Sequence, residues 1–435
     1  MYSPKIKNTS TFAKAFIFIL LWFCAAGLVF AQKADVVLSI EDAVSLAKQN
    51  NLSIKTSQNV LKNLETKNKF SWNSISPTAN ISGSYTDDFE NDSKSVGING
   101  SVNIGLSTNL FTAINNAKLN YEKGVLSYDE AVRQVELSVR KAYYNILYEK
   151  ENLELKKRSL ETSRIQFQNN QEKFRNGIIS ELDAFTSQVN YESKKPDVES
   201  AEITLQNELA SFKQLLGISQ DVEISLTGSL DDVLKLKAVT RDSLPASGVP
   251  APDVQAAEYD VRIAKNALLS DRFSAYAPSI TGSYTYGKSK EIDGDDWSTT
   301  NRLSVGVAIP LDGYLPWSSK AVSIDGSKND LDTAEKKLED AKTSVAVKTE
   351  NYLRKINQAV SQLSSLQSNV ELAEKTYKMT LTAYNYGKTD LTSLQNANDA
   401  VLNAGVSLKS QANTLISTIL DLEDLLGLKF GTLGK

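Results

Sequence analysis

Val125, Val132, Val139, Ile146, Leu153, Leu160, Phe167 and Phe174 recur at every seventh position, with Tyr128, Val135 and Ala142 marking a second heptad position early in the run. A strict seven-residue apolar period requires a left-handed supercoiled helix. The spacing predicts a helix over about 115–175, on the order of 90 Å long at ~1.5 Å per residue. That is too long for one compact domain. By itself it fits any coiled-coil rod, so the remainder of the chain has to decide what the rod serves.

The pattern occurs twice. Ile356, Leu363, Val370, Tyr377 and Tyr384 each lie 210 residues after a member of the first series. Phe174-Arg175-Asn176-Gly177 matches Tyr384-Asn385-Tyr386-Gly387, and Leu215-Leu216-Gly217-Ile218 matches Leu425-Leu426-Gly427-Leu428, both at the same offset. Ser82-Gly83-Ser84-Tyr85-Thr86 recurs as Thr281-Gly282-Ser283-Tyr284-Thr285 at an offset of 199, which places about eleven extra residues before the second tip turn. A fixed period of this kind marks a duplicated unit. The division is a first repeat over 32–230, a linker or equatorial segment over 231–251, and a second repeat over 252–435, with the Pro-rich run Leu244–Pro252 joining the two. Helices are expected at about 115–175 and 180–216, then 319–386 and 390–427.

Between these helices the period changes from seven to two. Ala79, Ile81, Gly83 and Tyr85 alternate with Asn80, Ser82, Ser84 and Thr86, and Val96, Ile98, Gly100, Val102, Ile104 and Leu106 alternate with small or polar residues. The second repeat does the same around Ile280–Tyr286 and Leu303–Ile309. Strands are expected at about 77–88, 96–111, 278–288 and 299–311. Such hairpins could lie on a soluble core. Three features favour the bilayer: strands near the ~9–11 residues of a tilted span, aromatics at the strand ends, and acidic tips. The aromatics are Trp72, Phe111, Tyr276, Tyr314 and Trp317 at one end and Phe89 and Trp297 at the other. The tips are Asp87-Asp88-Phe89-Glu90-Asn91-Asp92 and Glu291-Ile292-Asp293-Gly294-Asp295-Asp296, read as solvated loops. Membrane barrels start at about eight strands, and an open edge in lipid leaves backbone groups unpaired. Four strands per chain therefore demand oligomerisation.

Composition narrows the function. The 435 residues carry a net charge of −4 and no histidine. This offers no electrostatic footprint for nucleic acid and no imidazole chemistry. No catalytic, cofactor or metal constellation is found. Lys5, Lys7 and Lys14 precede the apolar run Ala15–Phe30, and Val29-Phe30-Ala31 offers a cleavage site, so 1–31 reads as a signal peptide. The single cysteine, Cys24, lies inside it.

With these features in order, the chain resembles the TolC-type outer-membrane efflux channel family over nearly all its mature length. Leu38-Ser39-Ile40-Glu41-Asp42-Ala43 with Asn51 fits the family's opening motif. Pro77 and Pro278 stand at strand entrances, and Pro310-Leu311-Asp312-Gly313 resembles the close of the last strand. The resemblance implies an α+β membrane protein: a homotrimer with a 12-stranded barrel in outer-membrane lipid, continued by a long periplasmic helical barrel. It implies a periplasmic adaptor and an inner-membrane RND, ABC or MFS transporter as partners. A periplasmic coiled-coil adaptor or structural rod is the competing function, but it has no use for two bilayer-length hairpins.

The resemblance also assigns residues. Phe174, Gly177, Ser180, Tyr384, Gly387 and Asp390 would form the periplasmic tips that meet the adaptor. Asp183, Tyr384, Ser393 and Asn396 would stand at the entrance gate. Tyr384 matches a tyrosine that helps hold the entrance shut, and Asp183 matches an aspartate the tyrosine can bond. Ser393 and Asn396 occupy positions where some members carry aspartates. Pro196 should kink a helix that the second copy, with Val406 there, leaves straight.

Overall fold

The structure is a computed structural model that describes residues 36–241, 244 and 250–434. The signal segment and most of the Pro-rich linker lie outside the described residues. The first repeat runs β1 (Val36–Leu38), α1 (Ile40–Asn50), α2 (Leu52–Lys69), β2 (Thr78–Asp88), β3 (Ser93–Ser107), α3 (Asn109–Arg175), α4 (Glu181–Leu216) and β4 (Ile224–Leu226). The second runs α5 (Pro252–Tyr276), β5 (Ser279–Glu291), β6 (Ser298–Ala308), α6 (Ser319–Asn385) and α7 (Leu391–Leu425). Helices α3 and α6 have 67 residues each, roughly 100 Å at the α-helical rise.

Strands β2-β3-β5-β6 form one antiparallel meander. Its register places all the alternating apolar residues on one face: Ile81 opposite Gly100, Val102 opposite Tyr284, Tyr284 opposite Leu303. Asn80, Ser101, Thr285 and Arg302 line up on the other face. The apolar face has no cover from the rest of the chain. Ile81 is 87% exposed and Leu303 75%. So large an uncovered apolar face belongs against lipid or another chain. Among the described residues no helix is long and apolar enough to cross a membrane.

Sequence and structure differ at the strand–helix joints. The sequence places the end of the second strand at 111, but β3 stops at Ser107 and α3 starts at Asn109, so Phe111 is helical and the helix begins earlier than 115. The alternation ends at Ser107, and nothing after it favours a strand. The last strand ends at Ala308, not 311, just before Ile309-Pro310, where proline has no N–H for the ladder. Most of the extra residues of the second repeat sit here: Ile309–Ser318 stands where the first repeat has Thr108 alone. Gly313 in that insert packs so tightly that a Cβ would lie 2.4 Å from the Ala275 carbonyl oxygen. Helix α4 runs through Pro196 without interruption.

The main core lies at the middle of the long helices. Val135, Val139, Tyr143 and Ile146 of α3 pack with Phe212 and Leu216 of α4, Leu353 and Ile356 of α6, and Leu415, Ile419 and Leu422 of α7. The parallel pair β1–β4 lies against it, and the Tyr143 hydroxyl donates to the Thr227 carbonyl at 2.6 Å. The opening motif has a mechanical role in this waist. The Ser39 and Asp42 pair caps α1 reciprocally. Asn51 caps α2 through its oxygen while its Nδ2 donates to the Leu215 carbonyl at 2.8 Å. Gly217, at φ 70°, ends α4 where a Cβ would meet the Asn50 carbonyl oxygen at 2.7 Å. Each repeat's Leu-Leu-Gly ending is thus a helix stop pressed against its own repeat's starting helices; Gly427 meets Pro252 in the same way.

Candidate gate at the tip turns

Both long helices reverse in the same motif. At the first tip Ile178 N donates to the Lys173 carbonyl (2.8 Å) and Gly177 N to the Phe174 carbonyl (2.9 Å). At the second, Lys388 N donates to the Ala383 carbonyl (2.8 Å) and Gly387 N to the Tyr384 carbonyl (3.0 Å). This double closure needs a left-handed residue. Gly177 and Gly387 supply it at φ 68° and 67°. A Cβ on either would touch nothing within 4 Å, so glycine is there for its backbone and not for space.

The return helices start with the same cap made of exchanged residues. Ser180 caps α4: its Oγ accepts from Asp183 N (3.1 Å) and donates to the Asp183 carboxylate (2.8 Å). Asp390 caps α7: its carboxylate accepts from Ser393 N at 2.6 Å. That backbone bond holds the Asp390 carboxyl below its ordinary pKa. Asp183 and Ser393 are equivalent in the duplication, and both are third residues of a cap. Asn396 lies exposed one turn further on.

The expected Tyr384–Asp183 bond is not formed. The Tyr384 hydroxyl donates to Asn170 Oδ1 at 2.8 Å, and Lys173 Nζ lies 4.7 Å from the centre of its ring. Asp183 has turned back on Ser180, whereas Asn170 is presented from inside the first helix pair, 1% exposed. Burial raises the Tyr384 pKa above its usual value, against the Asn170 bond that lowers it, so the phenol stays a proton donor. Phe174, its equivalent in the first repeat, lacks the hydroxyl and is 40% exposed.

A second link between the repeats was not found from the sequence. Lys194 on α4 is buried; its Nζ lies 2.5 Å from Asp399 Oδ1 of α7 and donates to Ser159 Oγ at 2.9 Å. Asn398 Nδ2 donates to the same Ser159 Oγ at 3.2 Å. The available signal was asymmetry between repeats: Lys194 aligns with Ala404, and Asp399 with Val189. Around these links α3 buries Ser159, Ser163, Gln166 and Asn170, and no apolar residue beyond Leu153. The amide nitrogen of Asn170 has no hydrogen-bond partner among the described residues, and Gln166 lies against the Tyr377 hydroxyl.

An uncovered, bilayer-length sheet face joined to paired helices of roughly 100 Å defines a class: the protomer of an outer-membrane channel that continues into a helical duct. A sequence profile of the outer membrane efflux protein family matches residues 44–218 and 249–428, and the chain belongs to that family. Its two segments correspond to the two repeats. Comparison with curated protein sequences found no match. Among solved structures the fold is similar to the CmeC outer membrane channel of Campylobacter jejuni, with TM-score 0.75 and 16% identity over 89% of this chain and 85% of that one. It is similar to VceC of Vibrio cholerae, with TM-score 0.70 and 13% identity over 90% and 96%. It is also similar to the open state of the MtrE channel of Neisseria gonorrhoeae, with TM-score 0.68 and 18% identity over 91% and 90%. The protein is an outer-membrane efflux channel subunit whose four strands form part of a trimeric barrel and whose helices extend into the periplasm.

Proposed function

We propose that this chain is the passive outer-membrane duct of a tripartite export assembly, with the turns at Gly177 and Gly387 docked on a periplasmic adaptor. An inner-membrane transporter of the RND, ABC or MFS kind would load it. The duct does no chemistry: substrate moves through it, and the residues matter by opening or blocking the way. The observation that supports this reading most is the pairing of an uncovered apolar sheet at one end with two identical helix reversals at the other. The lipid end fixes the protein in place, and the tips reach toward the inner membrane.

The proposed gate consists of the two links between helix pairs. Tyr384 to Asn170 ties α6 to α3 near the tips, and Lys194 to Asp399 ties α4 to α7 higher up. Both are small sets of polar contacts, with Asn398 and Lys194 sharing Ser159 at the second, that a docked adaptor could exchange for its own. The test uses a photo-crosslinking residue at Ile178 or Lys388, both beside the turn glycines. Cells should yield a specific adduct between the channel and a periplasmic adaptor, absent when the same group is placed at Asp295 in the opposite loop. Adducts from Asp295 and none from the tips, in a normally assembled channel, would reverse the proposed orientation.

A further inference from the structure

The outward face of the sheet changes character near its loop end. Strand β5 presents Ile280, Gly282, Tyr284 and Tyr286 at alternate positions, and the next two residues on that face are Lys288 and Lys290. Ile280 to Lys288 is a run of nine residues, within the ~9–11 that a tilted barrel strand needs to cross the hydrocarbon layer. Lys288 therefore stands where hydrocarbon gives way to headgroups. Its cross-strand neighbours are Ile98 and Thr299, and those of Lys290 include Val96. The third lysine of the region, Lys94, is paired with Asp87 at 3.7 Å. Lys288 and Lys290 have no ion pair among the described residues. Glu291, the acidic residue adjoining Lys290, alternates to the opposite face.

Beside them the surface is indented. A groove of about 410 Å³ is lined by Ile81, Ile98, Gly100, Tyr286, Lys288 and Trp297. Its floor is Gly100, which sits between Ile81 and Tyr286 in register. A Cβ at Gly100 would have only the Tyr286 carbonyl oxygen near it, at 3.8 Å. The hollow exists because Gly100 contributes no side chain between Ile81 and Tyr286. An apolar slot of this kind, ending under an aromatic ring and an unpaired cation at headgroup height, matches one molecule in charge and polarity. That molecule has a hydrocarbon tail and an anionic head.

We propose that the groove holds an acyl chain of a phosphorylated lipid of the outer leaflet, one per protomer, with its phosphate between Lys288 and Lys290. Ile81, Ile98 and Tyr286 flank the chain over Gly100, and Trp297 closes the slot at the interface, where amphipathic rings settle. The phosphate supplies the counter-charge that the sheet does not. This inference rests on the apolar face lying against lipid and is independent of what the duct carries.

The experiment is native mass spectrometry of the delipidated trimer, titrated with dioleoyl phosphatidic acid, dioleoyl phosphatidylcholine, or inorganic phosphate. Wild-type protein should retain phosphatidic acid at least about tenfold more tightly than phosphatidylcholine, as two interfacial lysines allow. Lys288→Gln with Lys290→Gln should remove that preference, and Lys288→Arg with Lys290→Arg should keep it. Gly100→Phe fills the slot and should weaken both lipids while the trimer mass is unchanged. Equal retention of the two lipids by wild-type protein would overturn the proposal. So would a preference that survives loss of both lysines, or competition by inorganic phosphate that Gly100→Phe leaves intact. Trimer mass, read in the same spectra, separates failed assembly from failed binding.

Discussion

Helix α3 is held in two different ways along its length. Between Val135 and Leu153 its buried face is mostly apolar: Val135, Leu137, Val139, Tyr143, Ile146, Leu147 and Leu153. Beyond Leu153 it buries only Ser159, Ser163, Gln166 and Asn170. The waist excludes water and loses several kcal/mol with any large side chain. The tip is joined by hydrogen bonds worth about 1 kcal/mol each, and the buried amide nitrogen of Asn170 has no hydrogen-bond partner among the described residues. One helix is thus clamped at its middle and lightly tied at its end. That is the division a duct needs if its entrance is to move while its wall stays closed.

The sharpest way to break this contrast is to delete apolar volume in the waist. Leu415 is 0% exposed. Leu415→Ala should cost about 2–5 kcal/mol and lower the melting temperature of the trimer markedly. Asn170→Leu at the tip, which trades an imperfectly satisfied amide for an apolar group of similar size, should cost under about 1.5 kcal/mol. Thermal unfolding followed by circular dichroism compares the two; equal losses would erase the distinction.

A smaller effect concerns the buried carboxylate that fastens the C-terminal turn to the waist. Glu423 is fully buried and accepts from Gly431 N, Thr432 N and Leu433 N at 2.8, 2.6 and 2.7 Å. Glu423→Ala leaves those amides without their acceptor; Gly431 and Thr432 are exposed and can hydrate, so the loss is about 1–3 kcal/mol, from the buried Leu433 N. Limited proteolysis should then release the residues after Leu425 before any cleavage at the tips. Cleavage at Gly177 first would place the weaker point at the tip even in this variant.

The smallest effect is the share of the pH dependence that one waist carboxyl contributes. Burial acts to raise the Glu136 pKa, but Lys48 at 2.6 Å and Arg140 at 2.8 Å outweigh it, and the carboxyl lies below its ordinary value. A lowered folded-state value contributes stability at pH above the unfolded-state value, and that stability is lost as pH falls through the folded value. The melting temperature should therefore fall on acidification below about pH 4, and fall less steeply in Glu136→Gln. An identical slope in the variant would remove Glu136 from the account.

The elements readable in the sequence are those whose cause is local or periodic. The heptad of Val125 to Phe174 specifies a long helix wherever it packs. The alternation at Ile81 and Ile98 specifies a face, and the duplicated Gly177 and Gly387 need only their own turns. The strand ends were less legible: the alternation stops at Ser107, but the apolar Leu110 and Phe111 just beyond it lend themselves to extending the strand, and they are helical. The gate contacts were the least legible. Tyr384 and Asn170 are 214 residues apart, and Lys194 and Asp399 are 205 apart. Neither pair has a spacing that marks it. Asp183 was a reasonable acceptor for Tyr384 by resemblance, yet Ser180 beside it offers a local partner that the helix start requires.

The central claim is that separate polar links close the tips while the waist remains intact. Single-channel conductance in planar bilayers tests it most directly, using Tyr384→Phe combined with Lys194→Met. Phe keeps the ring and removes only the proton given to Asn170. Removing Lys194 leaves Asp399, whose side chain is 47% exposed, free to hydrate, so no unpaired charge is buried. The account predicts a trimer with unchanged melting temperature and a severalfold higher conductance than wild type. Wild-type conductance in a normally stable trimer would contradict it and place the closure elsewhere in the duct.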